Sequence, residues 1–214
     1  MGRRALRKID ANLDLSRHLK EFADLPRPWD QAVLFGRRGP LELEVGSGKG
    51  LFLRTAAAAQ PEVDFLGIEI ARRYARFAAS QLARQGLTNA VVVIADAVRV
   101  LAEVIPDGAI QAIHIYFPDP WWKRRHKKRR IMVDSFVRDI ERTLAPGGRC
   151  HFWSDVEEYF RSSLELVAAA TNLEGPFAQP EAPAAHEMDY RTHFERRMRL
   201  HGLPVFRAQF RKGT

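Results

Sequence analysis

The sequence predicts an α/β fold in which a mostly parallel sheet carries helices on both faces. Short apolar runs alternate with amphipathic segments from Leu41 onward, as they do where parallel strands are joined by crossover helices. A glycine-rich turn follows the first apolar run, and an acidic residue ends each of the next two. With 214 residues, 46% of them hydrophobic, the chain can bury the core of one such domain.

Residues 1–40 are predicted to form a basic arm and a short helix. Arg3, Arg4, Arg7 and Lys8 make the arm basic, and an apolar pattern at positions 13, 15 and 19 predicts the helix. A merely solvated terminus is the alternative for the arm. Prolines at positions 26, 28 and 40 mark a connecting segment, so residues 41–214 are expected to make a single domain.

Within this domain, apolar runs predict the strands, and apolar residues at helical spacing predict the helices. The predicted strands cover residues 41–45, 64–70, 91–95, 109–117, 151–153 and 205–210. The predicted helices cover residues 51–59, 74–82, 136–144, 160–167 and 192–201. The Pro146-Gly147-Gly148 segment is expected to end the third of these helices, and prolines at positions 176, 180 and 183 predict a loop.

The turn after the first predicted strand has glycines at alternate positions, Gly46, Gly48 and Gly50. Such a backbone can turn sharply and let a ligand approach closely. A dinucleotide fingerprint would require a third glycine where Leu51 stands, which disfavours pyrophosphate binding. A tight strand-to-helix connection without a ligand is the alternative.

Three carboxylates make the ligand of this turn more specific. Glu44 flanks the turn, Glu69 ends the second strand, and Asp96 ends the third. At these strand ends a carboxylate can accept hydrogen bonds from ribose hydroxyls, meet the adenine amino edge, or face a positive centre. S-adenosylmethionine combines these groups and has no phosphate, so it is the predicted cofactor. The alternative is that acidic residues cap the following helices, as Asp96 would.

The most distinctive stretch covers residues 116–130, at the end of the fourth strand. Asp119 stands between Pro118 and Pro120, and a residue before proline is steered away from helix. Seven of the eight residues from 123 to 130 are cationic, and without them the formal charge of +8 falls to +1. Because like charges repel and few acids lie nearby, phosphate contact is favoured over a solvated run. The stretch therefore predicts a chemical site attached to a polyanion-binding segment.

Composition and spacing also exclude several classes of protein. No run of about 18 apolar residues predicts a membrane span, and the N-terminus lacks the apolar core of a signal peptide. A cytoplasmic protein without membrane contact is expected. Cys150, the single cysteine, is expected to be a buried hydrophobe in a strand. No Cys/His cluster has zinc spacing, so no metal is expected.

Taken together, these motifs resemble the bacterial tRNA (guanine-N7)-methyltransferase family. The resemblance is carried by residues 44–50, Gly67-Ile68-Glu69, the Pro-Asp-Pro-Trp run with its basic tail, Ser154-Asp155, and Thr192-x-Phe194-Glu195-Arg196. The Pro-Asp-Pro-Trp run is the most diagnostic of these motifs. The glycine turn alone would indicate only the methyltransferase superfamily.

The resemblance implies a class I, Rossmann-like, S-adenosylmethionine-dependent methyltransferase fold with a mostly parallel seven-stranded sheet. It also implies methyl transfer to N7 of a guanine in the variable loop of tRNA, by a monomer or a homodimer. Guanine N7 carries a lone pair and no proton, so alignment and electrostatics rather than a strong base must lower the barrier. Asp119 is the expected catalytic residue, because its carboxylate can stabilise positive charge that develops on the base.

The motifs and the resemblance assign side chains to three further roles. Expected cofactor contacts are Glu44, Gly46, Gly48, Gly50, Glu69, Asp96 and Asp119. Expected substrate contacts are Lys123, Asp155, Thr192, His193, Phe194 and Glu195. Expected RNA-docking residues are Arg124, Arg125, Lys127, Lys128, Arg129 and Arg130.

Some alternatives stay open. The spacing of Thr192 and Glu195 is that of a capping box, in which both side chains satisfy backbone N–H groups at a helix start. Trp122 and His193 depart from the residues that are more usual in the family. The methyl acceptor could be another RNA or nucleobase position, including an exocyclic amino group. A non-catalytic RNA-binding module on the same fold is the alternative from a different class.

Overall fold

The computed structural model describes residues 6–121, 125 and 129–214. Within these residues, eight strands form one sheet. They are β1 (Leu19–Glu21), β2 (Leu41–Val45), β3 (Asp64–Ile68), β4 (Ala90–Ile94), β5 (Ile110–Tyr116), β6 (Leu144–Ser154), β7 (Glu174–Ala178) and β8 (Phe206–Arg211). The α-helices are α1 (Gln31–Phe35), α2 (Leu51–Ala59), α3 (Arg72–Arg84), α4 (Ala97–Glu103), α5 (Asp134–Thr143), α6 (Glu157–Ala170) and α7 (His193–Leu200).

The strand order across the sheet is β1-β4-β3-β2-β5-β6-β8-β7. Neighbouring strands are parallel from β1 to β6, whereas β8 runs antiparallel to both β6 and β7. The chain moves outward from β2 through β3 to β4 on one side, and from β5 to β6 on the other. The carboxyl ends of β2 and β5 therefore border the switch point, where ligands bind in open α/β sheets.

Helices cover both faces of this sheet, as the sequence predicts. A smaller apolar cluster packs α2 and α3 against one face through side chains such as Phe52 and Ala78. A larger cluster packs α1, α4, α5 and α6 against the other face, with Val100 and Ile140 among its fully buried members. Burial on both faces explains why β4 is a continuous apolar run rather than an alternating one.

The eighth strand comes from the N-terminal arm, so the prediction of seven strands is wrong. The sequence predicts Leu19 in a short helix, but residues 19–21 pair in parallel with β4. The backbone N–H of Val92 donates to the His18 carbonyl oxygen at 2.8 Å. Pairing with the otherwise open edge of β4 overrides the local apolar spacing. The short helix of this region is α1, which Asp30 caps through the Ala32 N–H.

Three elements also differ from the sequence-based expectation: β7 and α4 are not predicted, and β6 begins earlier than predicted. β7 forms where the prolines predict a loop, and it accommodates Pro176 because it is an edge strand. β6 begins at Leu144, so the Pro146-Gly147-Gly148 segment lies inside that strand and not between α5 and the strand. The short helix α4 is not predicted at all. The other strands and helices lie within a few residues of the predicted ranges.

Candidate active site

The glycine turn between β2 and α2 adopts the backbone that its sequence predicts. Gly46, Gly48 and Gly50 have φ values of 73°, 53° and 72°, in the left-handed region that residues other than glycine rarely adopt. The Gly46 N–H donates to the Ile68 carbonyl oxygen at 2.8 Å, which ties the turn to β3. Gly50 is also a packing requirement, because a Cβ there would lie 2.7 Å from the Ala78 Cβ of α3.

Glu69 holds the same turn from the end of β3. Its buried carboxylate accepts one hydrogen bond from the Gly48 N–H at 2.8 Å and another from the Ala71 N–H at 2.8 Å. An ionised carboxylate offers about four acceptor positions. Two of these remain after the contacts to Gly48 and Ala71, so Glu69 can still accept hydrogen bonds from two ligand hydroxyls.

Glu44 is a buried carboxyl group at the end of β2. Only 3% of the residue is exposed, and its Oε2 atom has no hydrogen-bond partner among the residues that the structure describes. Burial raises the pKa of Glu44 to about 8, and the nearby negative charge of Glu69 acts in the same direction. In the ligand-free chain the Glu44 carboxyl group is therefore largely protonated at neutral pH, and a cation beside it would favour the ionised form.

Asp96 lies at the carboxyl end of β4 and is exposed. Its Oδ1 accepts from the Val98 N–H at 2.9 Å, so Asp96 is the N-cap of α4. The capping interaction that the sequence offers as an alternative is thus confirmed. One cap bond leaves other acceptor positions on the carboxylate, and a contact from Asp96 to the cofactor stays a prediction.

The loop that carries Asp119 is bracketed by two residues with unusual backbone angles. Phe117 has a φ of 52° and Trp121 a φ of 44°, although neither is glycine. A residue held in this region costs on the order of 1–3 kcal/mol, and such positions cluster at active sites. Asp119, between these two residues, is exposed beyond the carboxyl end of β5. The Phe117 N–H donates to the Trp153 carbonyl oxygen at 2.9 Å, which anchors the start of the loop to β6.

The described part of the basic segment contacts this loop. Arg130 is half-buried; its Nε donates to the Pro120 carbonyl oxygen at 2.8 Å, and its guanidinium lies 4.8 Å from the centre of the Tyr159 ring. Arg129 is exposed, and its guanidinium lies 5.0 Å from the centre of the Trp121 ring. Arg125 is exposed as well. All three are predicted to be RNA-docking residues, but Arg130 also holds the Asp119 loop through the Pro120 carbonyl oxygen.

Several expected site residues lie outside the described part of the chain. These are the expected substrate contact Lys123, the expected docking residues Arg124, Lys127 and Lys128, and Trp122, which departs from the family pattern. Their roles stay predictions.

The first turn of α7 packs against the Asp119 loop. The rings of Phe194 and Phe117 lie 4.8 Å apart between centroids, with an angle of 37° between their planes. Thr192 caps α7, because its Oγ1 accepts from the Glu195 N–H at 3.0 Å. His193 is exposed on the same turn, and Asp155 is half-buried just beyond the end of β6. The structure thus brings the Thr192 motif to the Asp119 loop.

Glu195 is buried and holds the chain around α7 together. Its Oε2 accepts from the Arg191 N–H at 2.7 Å, one residue before the cap. Its Oε1 lies 3.3 Å from the Arg207 guanidinium and 3.4 Å from that of Arg199. The capping alternative is confirmed for the Thr192 side chain. The Glu195 carboxylate instead accepts from the N–H of Arg191, one residue before the Thr192 N–H that a capping box would use. Direct contact between Glu195 and substrate stays a prediction.

A buried polar cluster behind the site is missed by the sequence analysis. His114 contacts the Tyr116 hydroxyl at 2.9 Å and a Glu42 carboxylate oxygen at 2.8 Å, and its ring stacks on that of His151 at 4.9 Å. Burial lowers the pKa of His151 to about 3, and burial lowers the pKa of His114 despite Glu42. Polar residues alternating with apolar ones along β5 and β6 are the signal that could have found it.

Metal and membrane sites were also sought in the described residues. Residues 6–121, 125 and 129–214 contain no group of three or more acidic, histidine or cysteine side chains placed to hold a metal ion. No helix among these residues has the length and apolar character needed to cross a membrane. Burial raises the pKa of the Cys150 thiol to about 12, so this cysteine is not an activated nucleophile.

Known proteins similar to this chain cover nearly all of it. A family model described as "Putative methyltransferase" matches residues 38–208. A tRNA (guanine-N(7)-)-methyltransferase of Rhodopirellula baltica is 45% identical, and the match covers 99% of this chain and 80% of the relative. A protein of the same name from Alkalilimnicola ehrlichii is 39% identical, with 87% of this chain and 78% of the relative covered.

Solved structures agree on the fold. The structure of an antibiotic-related methyltransferase matches with a TM-score of 0.60 and 16% identity, over 84% of this chain and 92% of that protein. At this identity the likeness shows the methyltransferase fold and nothing finer. The sequence matches are closer and span both the glycine turn and the Asp119 loop, so this chain belongs to the tRNA (guanine-N(7)-)-methyltransferase family.

Proposed function

We propose that this chain transfers a methyl group from S-adenosylmethionine to N7 of a guanine in the variable loop of tRNA. The observation that carries the proposal is the position of the Asp119 loop. It leaves the carboxyl end of β5, next to the end of β2 where the glycine turn and Glu44 lie. A methyl acceptor beside Asp119 would therefore face the donor site across the switch point.

The ligand-free site fits this cofactor in three respects. Glu44 supplies a buried carboxyl oxygen that has no hydrogen-bond partner in the described part of the chain, which suits the positive charge of the ammonium or sulfonium group. Glu69 keeps two acceptor positions for ribose hydroxyls. Gly46, Gly48 and Gly50 carry no side chains, and their positive φ values turn the backbone sharply, so it can approach the ligand closely at these positions. When bound, S-adenosylmethionine supplies the electrophilic methyl group.

The residues of the chain align the base and do not need to remove a proton from it. Guanine N7 has an in-plane lone pair, so Asp119 has no proton to abstract there. Its carboxylate can accept hydrogen bonds from guanine N1–H and the exocyclic amine, and it stabilises the positive charge that methylation places on the ring. Phe117 and Trp121, both with positive φ, bracket Asp119, and the Phe194 ring packs against Phe117 from the side of α7.

Product mapping tests this function directly. The chain is incubated with bulk tRNA and methyl-labelled cofactor, and the labelled nucleoside is identified and then located by sequencing. We expect 7-methylguanine in the variable loop. Label on an exocyclic amine or in another RNA would overturn the assignment of the acceptor, and no transfer at all would leave the non-catalytic alternative.

Asp119→Asn and Asp107→Asn make a matched pair for the same assay. Asp107 precedes β5, at the opposite end of the strand from Asp119, and pairs with Arg142 on the surface. We expect Asp119→Asn to lose most turnover, by about a hundredfold or more, because removal of one stabilising group at a developing charge costs about that much. Asp107→Asn should keep near wild-type turnover.

A further inference from the structure

The exposed arginines in the first turns of α3 form a second basic surface next to the site. Arg72, Arg73 and Arg76 are exposed there, and Arg84 is exposed at the other end of the helix. From position 70 to position 95 the sequence contains no aspartate or glutamate. The formal charge of this segment is therefore +4, which the whole-chain total hides because acidic residues elsewhere offset it.

Three other helices, α4, α5 and α6, each neutralise an exposed arginine within the helix. Arg99 of α4 pairs with Glu103, Arg138 of α5 with Asp134, and Arg161 of α6 with Glu157, at distances of 2.6–2.8 Å. Each of these pairs is four residues apart, the spacing that brings side chains together on a helix surface.

Helix α3 cannot form such pairs, since it has no acidic residue. Arg72 reaches Glu21 of β1, in a pair that is exposed on both sides. No ion pair of Arg73 or Arg76 with another of the described residues is found. Two guanidinium groups thus face solvent together on consecutive turns of the helix. Each planar guanidinium group that has no acidic partner can donate two hydrogen bonds to the oxygens of a phosphate.

The arginines lie across the crevice from the loop that carries Asp119. Helix α3 begins three residues after Glu69, at the carboxyl end of β3, whereas the Asp119 loop with Arg129 and Arg130 follows β5. Strands β3 and β5 flank β2, so their ends lie about 10 Å apart, two strand spacings. A polyanion that crosses the crevice from the Asp119 loop would therefore meet the arginines of α3.

A membrane surface is a poor partner for this helix. The side chains of Ala75, Ala78 and Leu82 in α3 are fully buried against the sheet and α2. They are therefore not free to enter a lipid interface, as the apolar face of an interfacial helix must. The arm adds exposed Arg7 and Lys8 in the region of Ile9, which lies beside the three arginines of the first turns.

We infer that Arg73 and Arg76, with Arg72, form a second tRNA-docking surface that binds the sugar-phosphate backbone outside the segment held by the basic run. The inference rests on the proposed function for its substrate, tRNA. It adds that the substrate spans the crevice, with one stretch of backbone on α3 and another on the basic segment. The surface contacts phosphates, so it contributes affinity and orientation and carries no base preference.

The test compares two double variants with the same change of charge. Arg73→Gln/Arg76→Gln removes two cations from the first turns of α3, and the control Arg138→Gln/Arg161→Gln removes two cations that are paired within α5 and α6. The affinity of each for an unmodified tRNA transcript is measured at several potassium chloride concentrations. We expect the slope of log K against log salt to fall by about 1.5 for the α3 variant, since each phosphate contact contributes about 0.7–0.9. The control should keep the wild-type slope.

Turnover at saturating tRNA separates docking from chemistry. The α3 variant should keep a kcat within about twofold of wild type while its KM for tRNA rises about tenfold. A wild-type slope for the α3 variant, or an equal loss of slope in the control, overturns the second docking surface. Failure of the proposed function would give a different result, because the wild-type chain would then bind tRNA without methylating N7 of the variable-loop guanine.

Discussion

The Phe117 and Phe194 rings pack against each other, 4.8 Å between centroids, and this contact joins the Asp119 loop to the first turn of α7. The two residues are far apart in the sequence, but Phe117 belongs to the motif of Asp119, and Phe194 belongs to the motif of Thr192 and Glu195. An aromatic pair of this kind contributes about 0.5–1.5 kcal/mol beyond the area it buries. We therefore expect Phe194→Ala to lower kcat/KM for tRNA by about tenfold, measured under steady-state conditions, with the affinity for cofactor within twofold of wild type.

Phe177→Ala serves as the control for that substitution. Phe177 is a partly exposed aromatic residue on the edge strand β7 and lines the far end of the sheet with Arg149 and Arg211. Its removal should leave kcat/KM unchanged. If Phe194→Ala weakened cofactor binding as strongly as it slowed methyl transfer, the contact would act on the whole fold rather than on the Asp119 loop.

Glu44 gives cofactor binding a dependence on pH. Its pKa is raised to about 8 in the ligand-free chain, so at pH 7 the carboxyl group is mostly protonated. A positively charged ligand favours the carboxylate, and binding should release about one proton at pH 7. Calorimetry in two buffers with different ionisation enthalpies measures this number. Affinity should rise with pH up to about 8 and then level off.

Two variants isolate this effect. Glu44→Gln cannot release the proton, so its binding heat should not depend on the buffer and its affinity should fall at least tenfold. Glu62→Gln, at an exposed position, should behave as wild type. Proton release that persists in Glu44→Gln would assign the titration to another group.

The same pKa affects folding with a definite sign. A carboxyl group whose folded pKa lies above its ordinary value of 4.5 binds more protons in the folded state, so its contribution to stability is lost as the pH rises towards 8. Between pH 6.5 and 8, the ligand-free chain should become less stable to urea, and Glu44→Gln should show a flatter profile. A steeper decline in Glu44→Gln would contradict the raised pKa.

The core strands could be predicted because local pattern and tertiary position agree there. The run at 41–45 is apolar at three of its five positions and is followed by a glycine turn, and it forms β2 with the predicted bounds. Strand β1 could not be found in this way. Three residues carry no reliable period, and they form a strand only because β4 offers an edge with unpaired backbone groups.

The sequence predicts which residues form the site better than it predicts the contacts that these residues make. The glycines at positions 46, 48 and 50 predict positive φ values, because residues other than glycine adopt a positive φ only at a cost in free energy. The raised pKa of Glu44 depends instead on β2 lying between β3 and β5, which no local pattern reveals. Arg130 shows the same limit, because nothing in the local sequence of the cationic run indicates that this arginine contacts Tyr159 and Pro120.

This difference between cations of one run can be measured. Arg130→Gln removes a hydrogen bond to the Pro120 carbonyl oxygen and the contact with the Tyr159 ring, so it should lower kcat about tenfold with little change in the salt dependence of tRNA binding. Arg125→Gln should do the reverse, with a salt slope smaller by about 0.7–0.9 and a kcat near wild type. A reduced slope and normal kcat for Arg130→Gln would place Arg130 among the docking residues alone.

Gly50 and Gly86 allow the packing of the glycine turn to be separated from its backbone angles. Both have positive φ, 72° and 64°, so alanine at either position costs about 1–2 kcal/mol of backbone strain. A Cβ at Gly50 would lie 2.7 Å from the Ala78 Cβ, whereas a Cβ at Gly86 would have no neighbour within 4 Å. Overpacking adds about 1–3 kcal/mol, so urea unfolding should show Gly50→Ala to be the less stable variant by that amount.

Gly50→Ala should also lose cofactor affinity, because α2 begins at this turn, while Gly86→Ala should bind as wild type. Equal losses of stability in the two variants would mean that α2 and α3 can move apart at no cost, and the close approach at Ala78 would then not be needed to shape the site.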